Sequence, residues 1–267
     1  MKIFSTWNVT VFIITYLSLV ALLFIYQRNL QYLPSGNITK APAGFEEKIL
    51  TTQDNIKILS WFCAPKKGEK IIVYFHGNAG NLSDRIEKFE TFTKSGFGVL
   101  AISYQGYSGS EGTPSEAGLI NDGKAALTFL LDQGFLPKDL ILFGESLGSG
   151  VAVQLAAKFD VAAVILESPY ASIAGVAQKT YWFVPVNLIL KDKFDSAKYA
   201  AKISSPVLVF HGSADNVVPF SEGKKLFELI IAPKKFIEVQ GAGHLNFSAE
   251  FLVEQMKSFL KEKIGGE

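Results

Sequence analysis

Cysteine is nearly missing from this chain, with Cys63 alone among 267 residues. A lone thiol excludes an internal disulfide and any cysteine-rich metal site; set in an apolar strand, it is expected in the core. No excess of either charge is present: 26 Lys and Arg meet 25 Asp and Glu, a net charge of +1. No nucleic-acid-binding surface is therefore indicated. The chain has no His-Glu-x-x-His run, no phosphate loop ending in Gly-Lys-Ser/Thr, no internal repeat and no low-complexity tract. No cofactor and no metal are expected. Histidine occurs three times, few enough for each to be weighed separately.

What is present centres on Gly144-Glu145-Ser146-Leu147-Gly148, which directly follows the apolar run Leu140–Phe143 and opens a helical stretch, Val151–Phe159. A Gly-x-Ser-x-Gly pattern between strand and helix forms a nucleophile elbow, a strained turn that lifts the hydroxyl clear of the sheet. Gly144 and Gly148 leave room for the two backbones to approach. Gly148-Ser149-Gly150 is read as close helix packing, not as a dinucleotide fingerprint.

A serine hydroxyl needs a base to take its proton. His244, in Gly241-Ala242-Gly243-His244, lies in a loop after the apolar run Phe236–Val239 and is the expected base. His76 and His211 each end an apolar run and read as histidines that pack in a loop or behind the site's own residues. Asp215, just past Val207–Phe210, is the expected acid that fixes the imidazole tautomer. Glu167, ending the run Ala163–Leu166, is the competing acid, or else a structural contact. For the developing oxyanion, Leu147 offers an unpaired amide from the first helical turn. The glycine-rich turn His76-Gly77-Asn78-Ala79-Gly80-Asn81 offers a second, from Asn78 in the first place and Ala79 in the second.

Alternating strand and helix patterns argue for a mostly parallel sheet. Strands are expected near 45–50, 56–62, 71–75, 99–102, 140–143, 163–166, 207–210 and 236–239, with the first two antiparallel across a turn. Helices are expected near 82–94, 116–133, 148–159, 221–231 and 247–263. Every proposed reactive residue falls at a strand's carboxyl end, where such sheets collect ligands. The order Ser146, Asp215, His244 is the one used on the α/β-hydrolase fold.

The segments Phe75–Asn81, Tyr104–Gly112, Gly144–Gly148, His211–Pro219 and Gly243-His244 together resemble an α/β-hydrolase-fold serine hydrolase. They are similar, more narrowly, to the membrane-anchored subgroup that includes protein depalmitoylases and many bacterial members. The resemblance runs from about Gln27 to the end. It implies an eight-stranded sheet with helices on both faces, a short helical cap and a Ser-His-Asp triad. One departure stands out: Ser103-Tyr104-Gln105-Gly106 replaces the family's usual Asp-Tyr-Arg-Gly, so an ion pair at those two positions is not expected here.

Trp7–Tyr26 runs about 20 residues without a charged side chain, enough for a helix across a hydrocarbon core of about 30 Å. Trp7 and Tyr26 suit the two interfaces. A cleaved signal peptide is disfavoured by the length of the run and the lack of a small-x-small site before Gln27. A buried core helix is disfavoured because the α/β domain is complete without it. Basic residues are nearly balanced across the segment (Lys2 against Arg28 and Lys40), so neither orientation is favoured.

The expected organisation is a tail at 1–6, a single-pass transmembrane anchor at 7–26, a stem at 27–44 and a hydrolase domain at 45–267. Within it, 168–205 is longer than a plain crossover and reads as a cap with an apolar underside. Tyr170, Trp182 and Phe183 are its candidate substrate-binding residues. The expected activity is cleavage of a carboxylic ester or thioester, on a small or lipid-like acyl substrate. Peptide hydrolysis and a non-catalytic, membrane-tethered binding module are the alternatives. Oligomeric state is left open.

Overall fold

A computed structural model of the protein describes residues 6–37 and 39–263. Its elements, in chain order, are α1 (Thr6–Gln31), β1 (Leu33–Pro34), β2 (Glu46–Thr51), β3 (Lys57–Cys63), β4 (Ile71–Phe75) and β5 (Ala79–Gly80). Then come α2 (Ile86–Lys94), β6 (Gly98–Ile102), α3 (Glu116–Asp132), β7 (Leu140–Glu145), α4 (Leu147–Ala156) and β8 (Ala163–Glu167). Three short helices follow, α5 (Ile173–Thr180), α6 (Val186–Ile189) and α7 (Ala197–Ala200). The chain continues with β9 (Val207–Gly212), α8 (Phe220–Leu229), β10 (Lys234–Val239) and α9 (Ala249–Lys263).

Eight strands form one sheet in the order β10-β9-β8-β7-β4-β6-β3-β2. β3 runs against both neighbours and the other pairings are parallel, so the sheet is mixed, with a mostly parallel body. Successive side chains on a strand face opposite sides, so the buried runs feed two cores at once. Ile71, Val73 and Phe75 of β4 point into one core with Leu119 and Leu127 of α3 and Val151 and Leu155 of α4. Ile72 and Tyr74 enter the other, with Phe89 and Phe92 of α2 and Met256 and Phe259 of α9. Strands buried on both faces read as continuous apolar runs, which is why β4 and β7 were legible.

Element ends moved by one to three residues from expectation. The predicted helix at 82–94 splits, because Asn81 caps a short 3-10 turn, Leu82–Arg85, ahead of α2. The last helix begins at Ala249, since Phe247 leaves the helical path to pack on Phe210. Cys63 is only half-buried at the end of β3, not in the core.

The expected tail lies outside the described residues apart from Thr6, which is already helical. Within 27–44, the helix continues to Gln31, and Leu33–Pro34 then pair in parallel with Ala79–Gly80. That small second sheet ties the segment to the turn carrying Asn78, whose carbonyl accepts from Leu33 N–H at 2.9 Å.

Candidate active site

β7 runs into α4 with Ser146 as the hinge, at φ 49° and ψ −112°. A non-glycine residue in such a conformation costs about 1–3 kcal/mol and persists only where its surroundings enforce it. Ser146 N–H donates to the Glu167 carbonyl (2.9 Å), and Ser149 N–H to the Ser146 carbonyl (2.9 Å). A side chain on Gly144 would meet Ser149 Cα at 2.5 Å, and one on Gly148 would collide with the Phe75 carbonyl. Both glycines are therefore conditions of the turn.

Ser146 Oγ lies 3.0 Å from His244 Nε2, and His244 Nδ1 lies 2.8 Å from Asp215 Oδ2. The three come from the carboxyl ends of β7, β9 and β10. The Asp215 side chain is fully buried, and its Oδ1 accepts from Val217 N–H (2.9 Å) and Val218 N–H (2.8 Å). Burial pushes this carboxyl up, but contacts with His211 and His244 and the Val217 amide outweigh it and hold it well below the ordinary range. An ionised carboxylate at Nδ1 keeps the proton there and leaves the Nε2 lone pair facing the hydroxyl. The arrangement can take a proton from Ser146 and return it to a leaving group.

His211 sits beneath this pair, with Nε2 3.4 Å from Asp215 Oδ2 and 3.1 Å from the Val218 carbonyl. His76 is buried against Tyr104 and Tyr107. Burial and then the nearby Arg85 charge push it down to about 3, so it is neutral. His76 thus packs among aromatic rings, whereas His211, within β9, backs the Asp215 carboxylate.

Glu167, the competing acid, turns its carboxylate to Lys88 Nζ at 2.8 Å. It belongs to a buried charge cluster that sequence reasoning missed. Glu145, the residue before Ser146, accepts from Arg85 Nη2 (2.7 Å), Lys88 Nζ (3.3 Å) and the Tyr74 hydroxyl. Its Oε1 also accepts Gly77 N–H (3.1 Å), which ties the turn before Asn78 to the elbow. Burial pushes Glu145 up, but Lys88 and Arg85 overcome it and hold the group well below its usual range. Glu167, with Lys88 as its ion-pair partner and Glu145 nearby, is held above it by burial. Glu145 is the variable residue inside the elbow motif, and nothing in the sequence marks Arg85 and Lys88 as its partners.

Asn78 and Leu147 both line the cavity over Ser146, while Ala79 is drawn into β5. Tyr170 lines it too, and its hydroxyl donates to the Leu147 carbonyl at 3.0 Å. Trp182 and Phe183 do not join it. They sit on the outer turn between α5 and α6, edge to face with each other, and Trp182 is 77% exposed. Val184, two residues on from Trp182, is the side chain this turn buries.

The cavity measures about 280 Å³, near the lower end for small-molecule sites. Cap residues such as Ile173, Val176, Tyr181 and Ile189 cover it, Val217 and Val218 close one side, and Leu23, Gln27, Leu30 and Gln31 of α1 form another. None of its lining residues is charged. The α1 contribution was not anticipated, although Leu23, Gln27, Leu30 and Gln31 repeat at one-face helical spacing at the end of the apolar run.

A sheet of this order, with an acute strand-to-helix turn under a helical cap, defines a hydrolase of the α/β type. The family model described as "Serine aminopeptidase, S33" matches residues 66–195. The uncharacterized protein Rv2307c of Mycobacterium tuberculosis is 34% identical over 254 residues, covering 90% of each chain. Human alpha/beta hydrolase domain-containing protein 17B is 34% identical over 210 residues, covering 76% of this chain and 69% of that one. Among solved structures, the Pyrococcus furiosus esterase Pf2001 superposes with a TM-score of 0.70 at 18% identity, covering 88% of this chain and 99% of that one. The chain belongs to the α/β-hydrolase family.

Proposed function

We propose that the protein is a membrane-anchored serine hydrolase that cleaves an ester or thioester of an apolar acyl group. The observation that carries this reading is the continuous contact from Ser146 Oγ, which opens onto an uncharged cavity, to His244 Nε2 and on to Asp215 behind it. Ser146 Oγ attacks the acyl carbon while its proton passes to His244 Nε2. The amides of Leu147 and Asn78 hold the oxyanion, each contributing about 2.7–4 kcal/mol. The carbonyl re-forms, the alcohol or thiol leaves with the proton from His244, and water releases the acyl group by the same steps.

Peptide hydrolysis is the alternative suggested by the description of the matching family model. An aminopeptidase needs a group to receive a substrate ammonium, and no carboxylate lines this cavity. The apolar lining favours an acyl chain. α1, with 26 residues and a mean hydropathy of 2.4 over its most apolar window, is the anchor in this reading.

The test is Ser146→Ala with a fluorophosphonate probe. Labelling is abolished if Ser146 is the nucleophile; undiminished labelling refutes the assignment.

A further inference from the structure

α1 does not stand apart from the catalytic domain. Tyr16, Val20, Leu23, Gln27 and Gln31 are its less exposed positions, and they fall on one face at helical spacing. The Tyr16 hydroxyl donates to the Phe183 carbonyl at 2.9 Å. Val20 and Leu23 pack on Ala174, Val184 and Val186 of the cap. Lower down, Lys191 N–H donates to Gln27 Oε1 (2.6 Å), and Arg28 grips Asp192 with Nε at 2.7 Å and Nη2 at 3.2 Å. Helix and cap are thus joined from Tyr16 to Gln31, about 22 Å at 1.5 Å per residue.

This length decides how deep the cap lies. A hydrocarbon core of about 30 Å takes roughly 20 helical residues, which from Trp7 reaches Tyr26. The helix stands clear of the cap over only its first ten or so described residues, about 15 Å. The cap tip beside Tyr16–Leu23 therefore lies at the depth of the acyl chains. Its composition fits that depth: Trp182 is 77% exposed, Leu188 84% and Phe183 40%. These are large apolar side chains that water would not favour as a patch. The ion pair of Arg28 with Asp192 marks the level where polar surroundings resume.

We propose that the cavity is loaded sideways from the bilayer. α1 crosses the bilayer with the cap tip immersed beside it in one leaflet, and Leu23, Gln27 and Leu30 form the wall along which a long acyl chain of a bilayer-resident ester reaches Ser146. The inference rests on the serine-hydrolase reading and specifies its substrate class.

The full-length protein, reconstituted in phosphatidylcholine vesicles, tests it with three assays. These are 4-methylumbelliferyl palmitate in the same vesicles, the same ester in detergent micelles, and soluble p-nitrophenyl acetate. Leu23→Trp fills the wall and is expected to lower the palmitate-to-acetate ratio of kcat/KM about tenfold, while Leu23→Ala moves the ratio the other way. The triple variant Trp182→Ser, Phe183→Ser, Leu188→Ser is expected to lower the vesicle-to-micelle ratio for palmitate about tenfold. Either ratio staying within twofold of the wild type overturns the proposal. A wild-type protein inert in all three assays and unlabelled by fluorophosphonate instead sinks the serine-hydrolase reading, and this inference with it.

Discussion

The amide of Ser146 donates to the carbonyl of Glu167 at 2.9 Å, so the residue at the elbow hangs from the end of the neighbouring strand. The same Glu167 sends its carboxylate the other way, to Lys88. Backbone strain at the elbow and buried charge beneath it therefore share one residue, and both are open to test.

Lys88→Met removes one of two cations facing two buried carboxylates, Glu145 and Glu167. Breaking such a pair from one side costs about 3–5 kcal/mol, because a charge stays buried without compensation. Urea unfolding should register that loss. Adding Glu167→Gln to Lys88→Met should restore a substantial part of it; equal instability of single and double variants contradicts the account.

Asp215→Asn keeps the shape of the side chain but no longer stabilises the imidazolium and favours the wrong tautomer. The expected loss in kcat is on the order of 10⁴, as in comparable triads, with KM little changed. Steady-state hydrolysis of a p-nitrophenyl ester measures both. A loss confined to KM would argue that Asp215 serves binding instead.

Gly148→Ala drives a methyl group toward the Phe75 carbonyl, with the His76 carbonyl 2.8 Å from the new Cβ. Overpacking of this kind costs about 1–3 kcal/mol, which lowers Tm by roughly 2–12 °C in a domain of this size. Thermal unfolding followed by tryptophan fluorescence decides it, and an unchanged Tm would mean that α4 can shift without penalty.

Asp122 is buried and bonded to Gln105 through the backbone N–H (2.9 Å) and Nε2 (3.1 Å), with no cation in those contacts. Burial pushes its carboxyl up to about 7, against the lowering effect of both Gln105 bonds. An acid raised on folding holds its proton longer in the native state, so its stabilising contribution is complete below the unfolded pKa of about 4. That contribution fades as pH rises through 7, by at most about 1.4 kcal/mol per pH unit. Asp122→Asn should flatten the stability profile between pH 4 and 7 in urea titrations; an unaltered slope would mean Asp122 is already ionised across that range.

The parts readable from the chain share a physical cause. β4 and β7 are buried on both faces and appear as apolar runs, while Ser146, Asp215 and His244 each lie within a few residues of a strand's carboxyl end. The edges were less legible. Phe247 looked like the start of the last helix because an aromatic in an amphipathic segment carries no mark of packing on Phe210 instead. Trp182 and Phe183 were placed in the cavity for a similar reason: hydrophobicity says that a side chain avoids water, not whether protein or lipid receives it. The Gln105 departure was visible, but its partner Asp122 was not, since the two meet only through the fold.

The share of the cavity wall supplied by α1 bears on how such a protein is handled at the bench. Trimming residues 1–26 for solubility deletes Leu23 along with the greasy segment and severs the Tyr16 link to Phe183. On the function proposed above, a shortened version keeps Ser146, His244 and Asp215 but lacks part of the wall that would sort acyl chains by length.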